Sequence, residues 1–216
     1  MPRLVTFGCS YTFGHGLPDV VDSKTPSKYA WPNVLAKKLN YECLNLAVPG
    51  SGNREILFRI LKTKFLKDDL VLISYSYFSR FNCLVNLDKL NNFKRVDYNS
   101  PEFKTLFYNN SDLFDAKMFY DNWLTIQHAE LYLESLNIKQ MSFLGIDYNS
   151  RENKCDLVKL KYFNENVRFI MEDLALDNSH PGIRSHELHA NQMHNIITED
   201  ERQLLLQKTL DSLPNL

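Results

Sequence analysis

Residues 69–74 read Asp-Leu-Val-Leu-Ile-Ser, "DLVLIS". Four consecutive aliphatic side chains leave no alternation of polar and apolar positions, so the segment is a strand covered on both faces. That is the mark of a central strand in a parallel sheet. Outward from it, Arg3 to Phe7 and Tyr41 to Ala47 are two more short apolar runs. Helical spacing lies between the runs. Over 31–39, Pro32 sits in the first turn with Leu35, Ala36 and Leu39 on one face; over 53–66, Ile56, Leu57, Ile60, Leu61 and Phe65 share a face. The order is strand, helix, strand, helix, strand.

Beyond residue 78 the rhythm breaks. Asn, Asp and Lys alternate with Phe and Tyr, and Asn-Ser-Pro stands at 99–101, so 79–115 reads as an irregular insertion of loops and short helices. A long amphipathic helix is expected over 116–136, a buried strand over Gln140 to Gly145, and a helix around 164–172 in a poorly periodic stretch. Ile183 to Ile197 should form one helix, and the capping box Thr198-Glu199-Asp200-Glu201 should open another. The alternation predicts an α/β chain, one domain over 1–216, with a parallel sheet and helices on both faces. In such sheets, sites form beyond the C-terminal ends of the strands.

Composition narrows the function classes. A chain of 216 residues buries roughly 70% of its unfolded surface and needs no covalent staple. A net charge of −1 argues against a broad nucleic-acid footprint, which requires a basic face. No apolar run approaches the ~20 residues of a membrane span, and the apolar stretch after Met-Pro-Arg is too short for a signal sequence. The expectation is a cytoplasmic protein without a membrane span. Cys9, Cys43, Cys83 and Cys155 form no CxxC pair and read as free thiols, with no metal and no cofactor implied. The 14 Phe and 11 Tyr favour a large core or a carbohydrate-contacting surface.

Three strand ends carry candidate chemistry: Gly8-Cys9-Ser10-Tyr11-Thr12, Gly50-Ser51-Gly52-Asn53, and Ser74 to Arg80. A fourth cluster is Asp177-Asn178-Ser179-His180-Pro181-Gly182. Acyl transfer needs a nucleophile, a base, a group that orients the base, and donors for an oxyanion. A carboxylate three residues before an imidazole in a tight turn suits Asp177 as the group that orients His180. Ser10 is then the nucleophile. The backbone amides of Ser10 and Gly50 are free to approach a substrate oxygen. Cys9 is the rival nucleophile, but neighbours at a strand end face opposite ways, and Cys9 reads as a small buried residue.

With those residues in hand, the chain resembles the SGNH (GDSL-type) hydrolases. "TFGCSYTFG" looks like the block holding the nucleophilic serine, "NLAVPGSGN" the block with Asn45 five residues before the oxyanion glycine Gly50, and "DNSHPGIRSHELHA" the closing block. The resemblance implies a flavodoxin-like three-layer α/β/α fold and ester hydrolysis through Ser10, His180 and Asp177. The substrate would be a small acyl ester, such as an acetyl ester, on a small molecule or a carbohydrate. The third block departs from the family. Members usually carry Gly-x-Asn-Asp after the third strand, whereas "LISYSYFSRF" has neither the glycine nor the asparagine, and Phe78 or Ser79 falls at the asparagine position. Replacement donors are Ser79, Ser76, Arg80 or Asn53, an arginine being charged and rich in N–H groups. The departure also motivates a second reading, a non-catalytic module that binds a glycan or a protein in the same cleft.

Bland readings accompany the sharp ones. Asn45 ties down its own turn. His186, His189 and His194 read as polar contacts around the helix start, since His186-Glu187-Leu188-His189 lacks the His-Glu-x-x-His spacing of a zinc site. Trp31, Tyr77 and Phe78 either pack in the core or line an acyl or sugar pocket.

Overall fold

The computed structural model describes residues 1–22, 24–78, 80–84, 93–96, 111–145, 160–164 and 166–211. Four strands form a parallel sheet in the order β2-β1-β3-β6: β1 (Arg3–Phe7), β2 (Glu42–Asn45), β3 (Leu70–Tyr75) and β6 (Lys139–Leu144). The aliphatic run 69–74 is β3, paired with β1 on one side and β6 on the other, and every residue of it is buried. A separate antiparallel hairpin joins β4 (Phe81–Leu84) to β5 (Phe93–Val96), so this part of the expected insertion is strand rather than loop and short helix. Residues 79, 85–92 and 97–110 of that stretch lie outside the described residues.

Helices cover both faces because side chains of a strand alternate across it. Val5, Phe7, Val71, Ile73 and Tyr75 point to one face, where α3 (Asn53–Lys62) and α4 (Ser111–Ser135) bring Ile56, Ile60, Ile126, Ala129 and Leu133 against them. Leu4, Leu70, Leu72 and Phe143 point to the other. There α2 (Trp31–Leu39) and α5 (Ile183–Asp211) contribute Trp31, Leu35, Ala36, Ala190, Met193 and Ile197. Arg3 at the start of β1 clamps Asp69, beside the start of β3, through Nε and Nη2 at 2.9 and 2.6 Å. The result is the three-layer, flavodoxin-like arrangement.

Two sequence expectations give way. The stretch around 164–172 is not helical where described. Val167 and Phe169 are buried while Arg168 and Ile170 are exposed, a period of two, and Asn164 Oδ1 accepts the Asn166 N–H at 3.0 Å to make a turn instead. A single parallel rung, Ser142 to Phe163, continues the sheet past β6. No second helix opens at Thr198. The α5 helix runs unbroken to Asp211, since no Gly or Pro interrupts 183–211, and the Thr198 hydroxyl donates back to the His194 carbonyl at 2.8 Å rather than capping.

From β1 the chain moves to β2 on one side and later to β3 on the other. The gap between β1 and β3 is therefore the topological switch point, where α/β sheets place their sites.

Candidate active site

The exit of β1 turns directly into a one-turn helix, α1 (Ser10–Phe13), with Cys9 in extended conformation before it. The turn closes through Phe13 N–H to Cys9 O and Gly14 N–H to Ser10 O, both 3.0 Å. Cys9 is wholly enclosed at 0% exposure, whereas Ser10, at 8%, keeps a small opening. Asn45 does more than tie its own turn. Its Oδ1 accepts the Ala47 N–H at 3.1 Å, and its Nδ2 donates to the Thr12 carbonyl at 2.8 Å, so one amide fixes the β2 exit to the Ser10 turn. Gly50 follows in a turn with φ of 82°, which only glycine adopts at little cost.

The loop before α5 docks onto this turn. Leu176 N–H donates to Gly16 O at 3.0 Å, and the His180 ring stands edge-on to Tyr11 and His15, with centroids 5.7 and 5.0 Å apart. His180 Nδ1 donates to Asp177 Oδ2 at 2.6 Å. Asp177 Oδ1 accepts the backbone N–H groups of Ser179 and His180, each at 3.0 Å. Burial opposes the Asp177 charge, but those two N–H groups and the His180 ring outweigh it and hold the carboxyl down to about 2. A permanently ionised acceptor at Nδ1 keeps the proton there and leaves Nε2 as the basic nitrogen. Asp173 fastens the loop from the far side by accepting the Arg184 and Ser185 N–H groups at 3.1 and 2.8 Å, capping α5 from outside its own turn.

The loop after β3 is built around a buried pair of amides. Asn53 Oδ1 accepts the Ser76 N–H at 2.7 Å, while its Nδ2 donates to Ser76 O at 3.2 Å and to Asn122 Oδ1 at 2.8 Å. Asn122, from α4, donates on to Phe78 O at 2.9 Å. Both Nδ2 protons of Asn53 are thereby engaged. It stands in the right neighbourhood but has no donor left for a substrate. Phe78 is a core ring, edge-on to Phe119 at 5.3 Å. Ser79 lies outside the described residues. Arg80 bridges the loops after β2 and β3, with Nη1 donating to Ser76 Oγ at 2.8 Å and to Ser51 O at 3.2 Å.

The structure thus brings Ser10, Gly50, Arg80 and the Asp177–His180 pair to one edge of the sheet. Gly16 and Asn122 were invisible to the sequence reading. Gly16 has φ of 83°, and a Cβ there would lie 2.7–2.9 Å from the Asp177 carboxylate. The signal that could have found Asn122 is an asparagine on the inward face of a long helix. His186 makes the polar contact expected near the helix start, but neither it nor His189 lies at the surface. Both are buried, facing Phe169 at 5.2 and 4.5 Å, and His186 Nδ1 accepts the Trp31 N–H at 3.2 Å. Trp31 is core as well.

The sequence matches no family model and no curated protein. Solved structures do match the fold. An acetyl xylan esterase from the rumen bacterium Butyrivibrio proteoclasticus superposes with a TM-score of 0.58 at 14% identity, covering 92% of this chain and 64% of that one. A psychrotrophic esterase from Pseudoalteromonas sp. gives 0.54 at 15%, covering 93% and 98%. A G-D-S-L family lipolytic protein from Desulfitobacterium hafniense gives 0.52 at 14%, covering 90% and 98%. With its parallel sheet between two layers of helices, the chain has the α/β/α fold of the SGNH (GDSL-type) hydrolases.

Proposed function

We propose that the protein is a serine esterase that removes a small acyl group, such as acetyl, from a small-molecule or carbohydrate alcohol. One observation carries the reading: an Asp177–His180 pair, 2.6 Å apart, packed against the turn that begins with Ser10. His180 Nε2 takes the Ser10 proton as Oγ attacks the ester carbonyl, and Asp177 balances the charge that develops on the ring. The amides of Ser10 and Gly50 hold the oxyanion. His180 then protonates the leaving alcohol, and water repeats the cycle on the acyl-enzyme. The esterases among the structural neighbours support this chemistry, and the acetyl xylan esterase supports the carbohydrate acetate.

A second reading, a binding module without turnover, draws on the third loop, where a core phenylalanine and a fully engaged Asn53 leave no neutral side-chain donor of the usual kind among the described residues. One neighbour is described as a carbohydrate esterase whose active site displays divergent catalytic and non-catalytic binding functions. A fluorophosphonate probe separates the two. For an esterase, the parent labels and the Ser10→Ala and His180→Ala variants do not. A folded parent that never labels, and hydrolyses no short-chain chromogenic ester, sinks the esterase.

Gly16→Ala tests the docking of the acidic loop. The new methyl meets the Asp177 carboxylate, and the backbone must hold a left-handed conformation that costs an alanine about 1 kcal/mol. Displacing the orienting group by a fraction of an ångström should lower kcat for a chromogenic ester roughly 10²-fold, while the thermal midpoint falls by only a few degrees. Unchanged kcat would mean that Asp177 does not set the base.

A further inference from the structure

We infer that the cleft accepts an ester bearing a carboxylate, and that Arg80 is the residue that recognises this charge; the inference deepens the hydrolytic reading and rests on it for the chemistry. Five other arginines of the described residues face acids. Arg3 meets Asp69, Arg54 meets Asp121, Arg59 meets Glu55, and Arg184 and Arg202 meet Glu172 and Glu199. Arg80 has no carboxylate within ion-pair range among the described residues. Its acceptors are two neutral oxygens, Ser76 Oγ and Ser51 O.

Both of those bonds use Nη1. The opposite edge of the guanidinium, Nε with Nη2, carries three of its five N–H groups and bonds no described residue. That edge is the fork that matches two oxygens of one anion side by side. The fork is held rigid as well. Nη1 is pinned at two points and the Tyr77 ring lies 5.2 Å from the guanidinium carbon, so little side-chain freedom remains to be lost when an anion arrives.

Position gives the fork its meaning. Ser51 follows Gly50, the proposed oxyanion glycine, and Ser76 follows β3, so Arg80 spans the two loops that flank the switch point. A developing oxyanion is a single oxygen and is served by the amides of Ser10 and Gly50. A half-buried cation with no counter-charge among the described residues can take its charge from the ligand itself. One guanidinium with one free edge balances one negative charge, which fits a carboxylate rather than a phosphate dianion.

The test compares charge-matched esters. Mono-4-nitrophenyl glutarate is set against 4-nitrophenyl pentanoate, placing the charge in the acyl half. Acetoxybenzoate is set against acetoxybenzamide, placing it in the alcohol half. In the parent, kcat/KM for one anionic ester should exceed that of its neutral partner about tenfold or more. Arg80→Gln should erase that ratio, and Arg80→Lys, which keeps the charge but not the fork, should retain part of it. Binding of free glutarate and hydroxybenzoate, followed by calorimetry on the same proteins, provides a readout that needs no turnover. Anion binding that weakens at least tenfold in Arg80→Gln, with every ester inert, would uphold Arg80 and sink the esterase. Neutral and anionic esters hydrolysed in the same ratio by parent and Arg80→Gln would overturn Arg80 and leave the esterase standing. Absence of both anion binding and charge preference also overturns the inference.

Discussion

An Asp177→Asn variant should fold as the parent does and hydrolyse a short-chain ester about 10⁴-fold more slowly. The substitution is nearly isosteric, and an amide oxygen at the Oδ1 position still accepts the N–H groups of Ser179 and His180, so the turn keeps its shape. The Oδ2 position, 2.6 Å from His180 Nδ1, then carries an NH₂ group, which donates where the carboxylate accepted. The ring must answer with an unprotonated Nδ1. Its proton moves to Nε2, the nitrogen that should take the Ser10 proton, and the base is lost through its tautomer rather than its position. Circular dichroism and the thermal midpoint should match the parent while kcat collapses. A kcat within tenfold of the parent would remove Asp177 from the mechanism. Because the parent carboxyl is held at about 2, acidification should not protonate Asp177 above pH 3, and any acid loss of activity in that range has another origin.

Fold stability, as distinct from the proposed chemistry, responds to acid on the inner face of α5. Burial drives the His186 imidazole down to about 3 and that of His189 to about 4, so both are neutral when folded and protonated when unfolded between those values and about 6.5. The unfolded chain binds more protons in this window. Stability therefore rises with pH, is fully present above about 6.5, and is lost as the pH falls toward 4. Each imidazole contributes a slope of roughly 1.4 kcal/mol per pH unit, which amounts to about 4 kcal/mol between pH 7 and pH 5 for the two. Against a typical 5–15 kcal/mol this is a large fraction. Glu130, raised by burial between α4 and β6, acts in the opposite direction and softens the slope. Denaturant titrations at pH 7 and pH 5 measure the difference, and His189→Phe, stacked on Phe169, should remove about half of it. Equal stability at the two pH values would mean that these rings are protonated, or solvated, in the folded state.

What could be read from residues alone divides along a physical line. Local patterns were legible. The unalternating 69–74 run became the middle strand, and Pro32 with one apolar face became α2 with the expected bounds, Trp31–Leu39. The Asp-x-x-His spacing became a short hydrogen-bonded turn for the same reason: its partners are three residues apart. Long-range relations were not legible. Nothing in the sequence says that the Asn53 amide meets Asn122, that Gly16 must stay bare to admit Asp177, or that Asp173 caps a helix ten residues further on. The failure at Thr198 is of another kind, since Ser and Thr serve equally as caps and as back-bonding residues inside helices. With no Gly or Pro over 183–211 to break it, α5 continues through Thr198.

The docking of the 175–182 loop onto residues 10–17 has a consequence for how activity is lost and gained. Ser10, the proposed nucleophile, directly follows β1, and His180, the proposed base, sits in the loop before α5. No intermediate lacking α5 holds both. If α5 loosens as one cooperative unit when His186 and His189 take up protons, Ser10 is parted from His180 while the four strands are still paired. The proposed esterase activity is then a finer gauge of the native state than any signal from the sheet, and the acid limb of its profile should fall before the secondary structure does.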